Sequence, residues 1–131
     1  MNNYRALNKA ERKALMACIA NVHDPALRED LIQQASFALV SSKDESLFGY
    51  YLNLFCPESQ KSERIHHGMN DSPPECLGLS SNNDNALFFL LYCKDGFIDF
   101  MEASSIGEWP VSEEEVIFVP EYLVKLKFQA R

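Results

Sequence analysis

The chain has 131 residues, 47% of them hydrophobic and 24% charged. That is enough for one domain with a substantial core, too little for two, and too apolar for wholesale disorder. The formal net charge of −7 sets the protein against nucleic acid and anionic membrane surfaces and suits it to a basic partner.

Residues 8–21 read as a helix. Asn8 is a candidate N-cap, and Glu11 stands in the capping-box position three residues later. Leu15, Cys18, Ile19 and Val22 recur at helical spacing, whereas Lys9, Arg12 and Lys13 face elsewhere and read as a solvated face. A second helix starts after Asp24, with Pro25 at the first helical position, where a missing N–H is harmless. Leu27, Leu31 and Ala35 line one side of it. The helical part is expected within 8–36.

From Phe37 the period changes, and residues 37–128 are expected to be mainly strands. "FALVSS" and "SLFGYYLNLF" carry the aromatic and branched residues of a hairpin, with "SKDES" as the loop between them. Phe48, Tyr50, Leu52 and Leu54 would share one face of the second strand, and Leu47, Tyr51 and Phe55 the other. Residues 57–85 are rich in Pro, Ser and Asn and read as a long loop, within which only "ECLGLS" suits a strand. "NALFFLLYC" and "FIDFMEA" flank Lys94-Asp95-Gly96, a strong hairpin signal. "EVIFVP" is a further short strand. "VKLKFQ" alternates Val124, Leu126 and Phe128 with Lys125 and Lys127, as an edge strand would. Two helices followed by a run of strands predict an α+β fold: a single domain over 1–131, with two N-terminal helices packed on one face of an antiparallel sheet of about five or six strands.

The search for chemistry is mostly exclusion. No nucleophile elbow, phosphate-binding loop, dinucleotide fingerprint or zinc-protease motif is present. The four cysteines form no CxxC pair, and the N-terminal stretch lacks an apolar signal core, so a reduced, cytoplasmic protein is expected. The longest apolar run falls far short of the roughly 20 residues a membrane span needs. His66-His67, with Cys56, Glu63 or Cys76 nearby in sequence, could hold a transition metal, but the pair lacks the ligand spacing of zinc sites and equally suits a polar loop. His23 reads as local structure before a helix cap. Asp99 and Glu102 stand three apart on a strand, which should aim them at opposite faces and speaks against a catalytic pair.

The charge distribution is more informative. From Lys94 to Glu121 eight carboxylates face one lysine, a window charge of −7 equal to that of the whole chain. Trp109 sits in this window beside Glu108 and shortly before Glu113-Glu114-Glu115. Two readings stay open: an interface with an aromatic anchor and steering carboxylates, or a solvated turn with Trp109 as a core plug.

Two blocks, together about half the chain, resemble small bacterial immunity proteins of contact-dependent inhibition and polymorphic toxin systems. In the first the matching residues are Leu7, Glu11, Leu15, Leu27, Leu31, Gln34 and Ala35. In the second they are Asp95, Gly96, Phe97, Glu102, Gly107 and Glu108. The resemblance implies a protein that binds the C-terminal domain of a cognate toxin, often a nuclease, and blocks its active site or its access to substrate. On this reading the partner is a basic toxin domain, no cofactor or catalytic residue is expected, and the partner-binding residues are Asp99, Glu102, Glu108, Trp109, Glu113, Glu114 and Glu115. The alternatives are a small metal-binding enzyme centred on His66 and His67, and an adaptor subunit with no toxin partner.

Overall fold

The structure, a computed structural model, describes residues 3–57, 60–80, 85–110 and 116–119, apart from the side chain of His67. Strand β1 (Arg5–Ala6) leads into helices α1 (Lys9–Ala20) and α2 (Pro25–Ser36). Strands β2 (Leu39–Ser46) and β3 (Gly49–Phe55) follow, then a 3-10 turn (His67–Asp71). The chain continues as β4 (Glu75–Ser80), β5 (Ala86–Lys94), β6 (Phe97–Ser105) and β7 (Val116–Val119). The strands form one sheet in the order β1-β2-β3-β6-β5-β4-β7, with every neighbouring pair antiparallel. The fold is therefore α+β, with seven strands among the described residues in place of the five or six expected. No described helix is long and apolar enough to cross a membrane.

The helix boundaries follow local chemistry. The Asn8 side chain accepts from the Glu11 N–H at 2.8 Å, and the Glu11 carboxylate accepts from the Asn8 N–H at 2.9 Å, completing the capping box. Asp24 caps α2 through the Ala26 N–H at 3.0 Å, with Pro25 opening the helix. Leu15, Cys18 and Ile19 of α1 and Leu31 and Ala35 of α2 join Leu52 of β3, Leu87 and Leu91 of β5 and Met101 of β6 in one buried cluster. Each Leu, Ile or Met side chain among them contributes about 2 kcal/mol by leaving water. The α1 helix rests on β4 and β5, and α2 on α1 and β6. Gln34 ties α2 to the β5–β6 turn: its amide nitrogen donates to the carbonyls of Gly96 (2.9 Å) and Gln60 (3.0 Å), and its oxygen accepts from the Ile98 N–H (2.9 Å). That turn has Asp95 at φ 54° and Gly96 at φ 87°, the left-handed pair that a two-residue hairpin connection demands.

Three expectations are corrected. The polar "SKDES" is no loop: β2 runs through it to Ser46, and the chain reverses at Leu47-Phe48. A bulge between Val40 and Ser42 shifts the register, and Lys43 thereby points at the core side, where its ammonium lies 3.1 Å from the buried Glu11 carboxylate and 4.3 Å from the Tyr50 ring. The polar strand is stable because its lysine answers a buried acid. Second, Phe48 does not share the face of Tyr50, Leu52 and Leu54, which are buried; it is exposed in the turn itself. Third, the 57–85 stretch is not one long loop: "ECLGLS", the segment within it that suited a strand, is strand β4, enclosed between β5 and β7. The same stretch contains the 3-10 turn, and Asn70 there mimics a strand neighbour, donating to the Cys93 carbonyl (2.8 Å) and accepting from the Cys93 N–H (3.1 Å). Residues 124–128, expected as an edge strand, lie outside the described residues.

Candidate functional site

The β6 strand positions the first two acids. Its register against β5 jumps from Cys93↔Ile98 to Tyr92↔Phe100, so Asp99 is the extra residue of a bulge. Ile98 and Met101 are three apart yet both fully buried on the core side. The simple alternation that separated Asp99 from Glu102 therefore fails at this point. Asp99 is half-buried, and its charge, after burial, helps push the Cys93 thiol up to about 12. Glu102 lies on the face of the sheet away from Met101 and Ala103. Burial, and then the charge of Glu102, raise the pKa of Tyr92 on the neighbouring strand.

Trp109 is elsewhere. Its backbone N–H donates to the Leu47 carbonyl at 2.9 Å, and its ring packs edge-on against Tyr50 (5.4 Å) and Phe89 (5.9 Å). Both rings belong to the buried side of the sheet, so the sheet separates Trp109 from Glu102. Glu108 is exposed beside it, its carbonyl held by the Asn85 side chain at 3.0 Å. Glu113, Glu114 and Glu115 lie outside the described residues. Trp109→Ala is accordingly expected to lower the unfolding free energy by about 2–3 kcal/mol, since a half-buried ring loses less than a fully buried one. Urea unfolding checks this, and an unchanged midpoint would remove Trp109 from the core.

Strand pairing assembles what the linear sequence conceals. Asp44 of β2 faces Tyr51 of β3; Tyr51 faces Glu102 of β6; Glu102 faces Leu90 of β5; Leu90 faces Glu75 of β4. One row across five strands thus reads acid, aromatic, acid, aliphatic, acid. Neighbouring strands lie about 4.8 Å apart, so its carboxylates recur about every 10 Å. On one side of the row Phe100 stacks on Tyr92 at 4.6 Å and meets Tyr51 at 6.2 Å. On the other lies Phe88, paired with Leu77. Tyr51 is 49% exposed, Phe88 37% and, further along this face, Ile117 62%. Of the acids singled out in the sequence only Glu102 belongs to this row. Asp44 and Glu75 carried no signal, because they lie far apart in the chain and only the register brings them together.

A cavity of about 730 Å³ opens where the turn between the helices meets the start of β4. Val22, Leu27, Met69, Cys76 and Phe89 line it, with His23, Asp24 and Glu75 also on its wall. Among the described residues no three His, Cys, Asp or Glu side chains converge as a metal site would require. His66 is exposed at the start of the 3-10 turn and makes no capping hydrogen bond through its side chain. Compared with known families, curated proteins and solved structures, the chain shows no match.

Proposed function

We propose that this protein is an immunity protein that binds a basic toxin domain in the cytoplasm, a nuclease being the class that fits best, and occludes its active or substrate-binding site with the open face of the sheet. The observation that carries this reading is the row Asp44–Tyr51–Glu102–Leu90–Glu75. Carboxylates at regular spacing attract a basic cleft and speed encounter, and the aromatic and aliphatic groups between them supply anchors that lose water on contact. A nuclease cleft is basic because it holds a phosphate backbone. The mechanism is stoichiometric: nothing is turned over, and protection lasts as long as the complex.

The test uses the toxin domain encoded beside this protein. Asp44→Lys with Glu102→Lys reverses two charges on the row without touching the buried face. The double variant is expected to associate at least about 10-fold more slowly at low salt, with a flatter salt dependence, and to protect cells poorly, because opposite surface charges set the encounter rate. Wild-type association rate, salt slope and protection in a variant of unchanged thermal stability would sink the proposal.

A further inference from the structure

Cys18 on the buried side of α1 and Cys76, second residue of β4, place their sulfurs 3.4 Å apart. A disulfide bond is about 2.05 Å long, so the two are about 1.4 Å of side-chain movement from bonding. Both are free thiols and both are buried, at 0% and 7% exposure. Buried cysteines usually act as small hydrophobes, and packing alone would account for either one. Two further features go beyond packing. Each sulfur also approaches a backbone carbonyl of the other's surroundings, Cys18 that of Phe89 at 3.6 Å and Cys76 that of Ala14 at 3.8 Å, so both thiols sit at the contact between helix and strand. Cys76 also lines the 730 Å³ cavity, which gives a small solute a route to it. The other two cysteines differ: among the described residues neither Cys56 nor Cys93 lines that cavity.

We propose that Cys18 and Cys76 are a peroxide-sensitive pair that closes to a reversible disulfide, stapling α1 to the start of β4. The Cys76 thiolate attacks one oxygen of hydrogen peroxide in the cavity; the O–O bond breaks, leaving Cys76 as a sulfenic acid and releasing hydroxide, which the thiol proton converts to water. The Cys18 sulfur then attacks the Cys76 sulfur. The S–O bond breaks, and the departing hydroxide takes the Cys18 proton and leaves as a second water. Two thiols and one peroxide become one disulfide and two waters; the sulfurs lose two electrons and the peroxide gains them. The hydrogen bond with Cys76, and then burial, hold the Cys18 pKa well above the usual thiol value. Cys76 lines the cavity and Cys18 does not, which assigns the first attack to Cys76 and the resolving step to Cys18. The bond would close a loop spanning 58 positions, long enough to remove much freedom from the unfolded chain. It would also anchor the strand whose first residue, Glu75, ends the acidic row.

The experiment uses the full chain without an affinity tag, reduced, desalted and exposed to dilute hydrogen peroxide. The intact mass is expected to fall by about 2 Da, non-reducing peptide mapping to join the Cys18 and Cys76 peptides, and the melting temperature to rise by about 5 °C or more. Dithiothreitol should reverse all three changes. In Cys18→Ala the Cys76 sulfenic acid should persist and be trapped by dimedone, with no loss of mass. If that variant fails to fold, peptide mapping of the wild type alone decides. An unlinked product carrying added oxygen, a Cys56–Cys93 link, or a link between two chains overturns the proposal.

Discussion

Replacing Glu11 by alanine is expected to destabilise the protein by about 3–5 kcal/mol, the usual consequence of removing one partner from a buried charge network. Glu11 is fully buried. Its two oxygens take a forked pair of hydrogen bonds from Arg5 at 2.8 and 2.9 Å, one from the Asn8 N–H at 2.9 Å, and an ion pair with Lys43 at 3.1 Å. The Lys43 side chain is only 16% exposed, so without Glu11 its ammonium remains in a poor solvent with no carboxylate, and the capping box is lost as well. One residue thereby joins β1, α1 and β2. The same site sets an acid sensitivity. Burial alone pushes the Glu11 carboxyl upward, but the Arg5, Asn8 and Lys43 interactions outweigh it and hold the pKa at about 2. The unfolded value is about 4.3. A folded pKa below the unfolded one gives stability that is complete above about pH 5 and disappears as the pH falls toward 2, in all about 3 kcal/mol. Glu11→Gln should show a shallower loss of stability than wild type between about pH 5 and 2. Parallel pH profiles for the two proteins would mean that Glu11 is not the group responsible.

Gly49→Ala is expected to cost about 3–5 kcal/mol, combining backbone strain with overpacking. Gly49 has φ 151°, and a Cβ built there would lie 1.9 Å from the Ala103 carbonyl oxygen. Neither group is a flexible side chain that could swing aside. The β3–β6 pairing, which begins at Gly49↔Ser104, would have to part at its first rung, loosening the middle of the sheet and the Ser105 N–H to Phe48 carbonyl bond (2.9 Å) beside it. Gly107→Ala is the control. Its Cβ would meet the Asn85 side chain at 3.5 Å, ordinary contact distance, and a surface change of that kind stays within about 0.5 kcal/mol. Urea midpoints of the two variants should therefore separate widely. Equal midpoints would show that β3 does not approach β6 as closely as described.

Much of the fold was legible wherever a few neighbouring residues carry the whole instruction. Asn8 with Glu11, Asp24 with Pro25, and Asp95 with Gly96 each act through backbone groups one to three positions away, and each appears in the structure where the sequence placed it. The alternation of Tyr50, Leu52 and Leu54 with Tyr51 and Phe55 is likewise a local pattern, and it sorts the two faces of β3 correctly. The failures share one cause. Ser42, Lys43, Asp44 and Glu45 read as loop because nothing near them explains a polar strand; the explanation is Glu11, on another element. Asp99 and Glu102 were sorted by a two-residue period that a bulge interrupts. Trp109 was legible as half of an open choice, and Tyr50 and Phe89, distant in sequence, place it on the core side.

The candidate binding surface divides in the same way. The sequence by itself determined the helices, their caps, the Asp95-Gly96 hairpin, the acidic bias of the second half and the supply of aromatic residues, because composition, capping and strand period are properties of single residues and close neighbours. Tertiary structure alone decided that Asp44, Tyr51, Glu102, Leu90 and Glu75 form one row, that Trp109 lies on the other side of the sheet, and that Cys18 meets Cys76. Those are matters of register between strands and of helix placement over them. A shift of one residue would turn every side chain of a strand to the opposite face, and the register is chosen by the packing of the whole sheet, which no short segment contains.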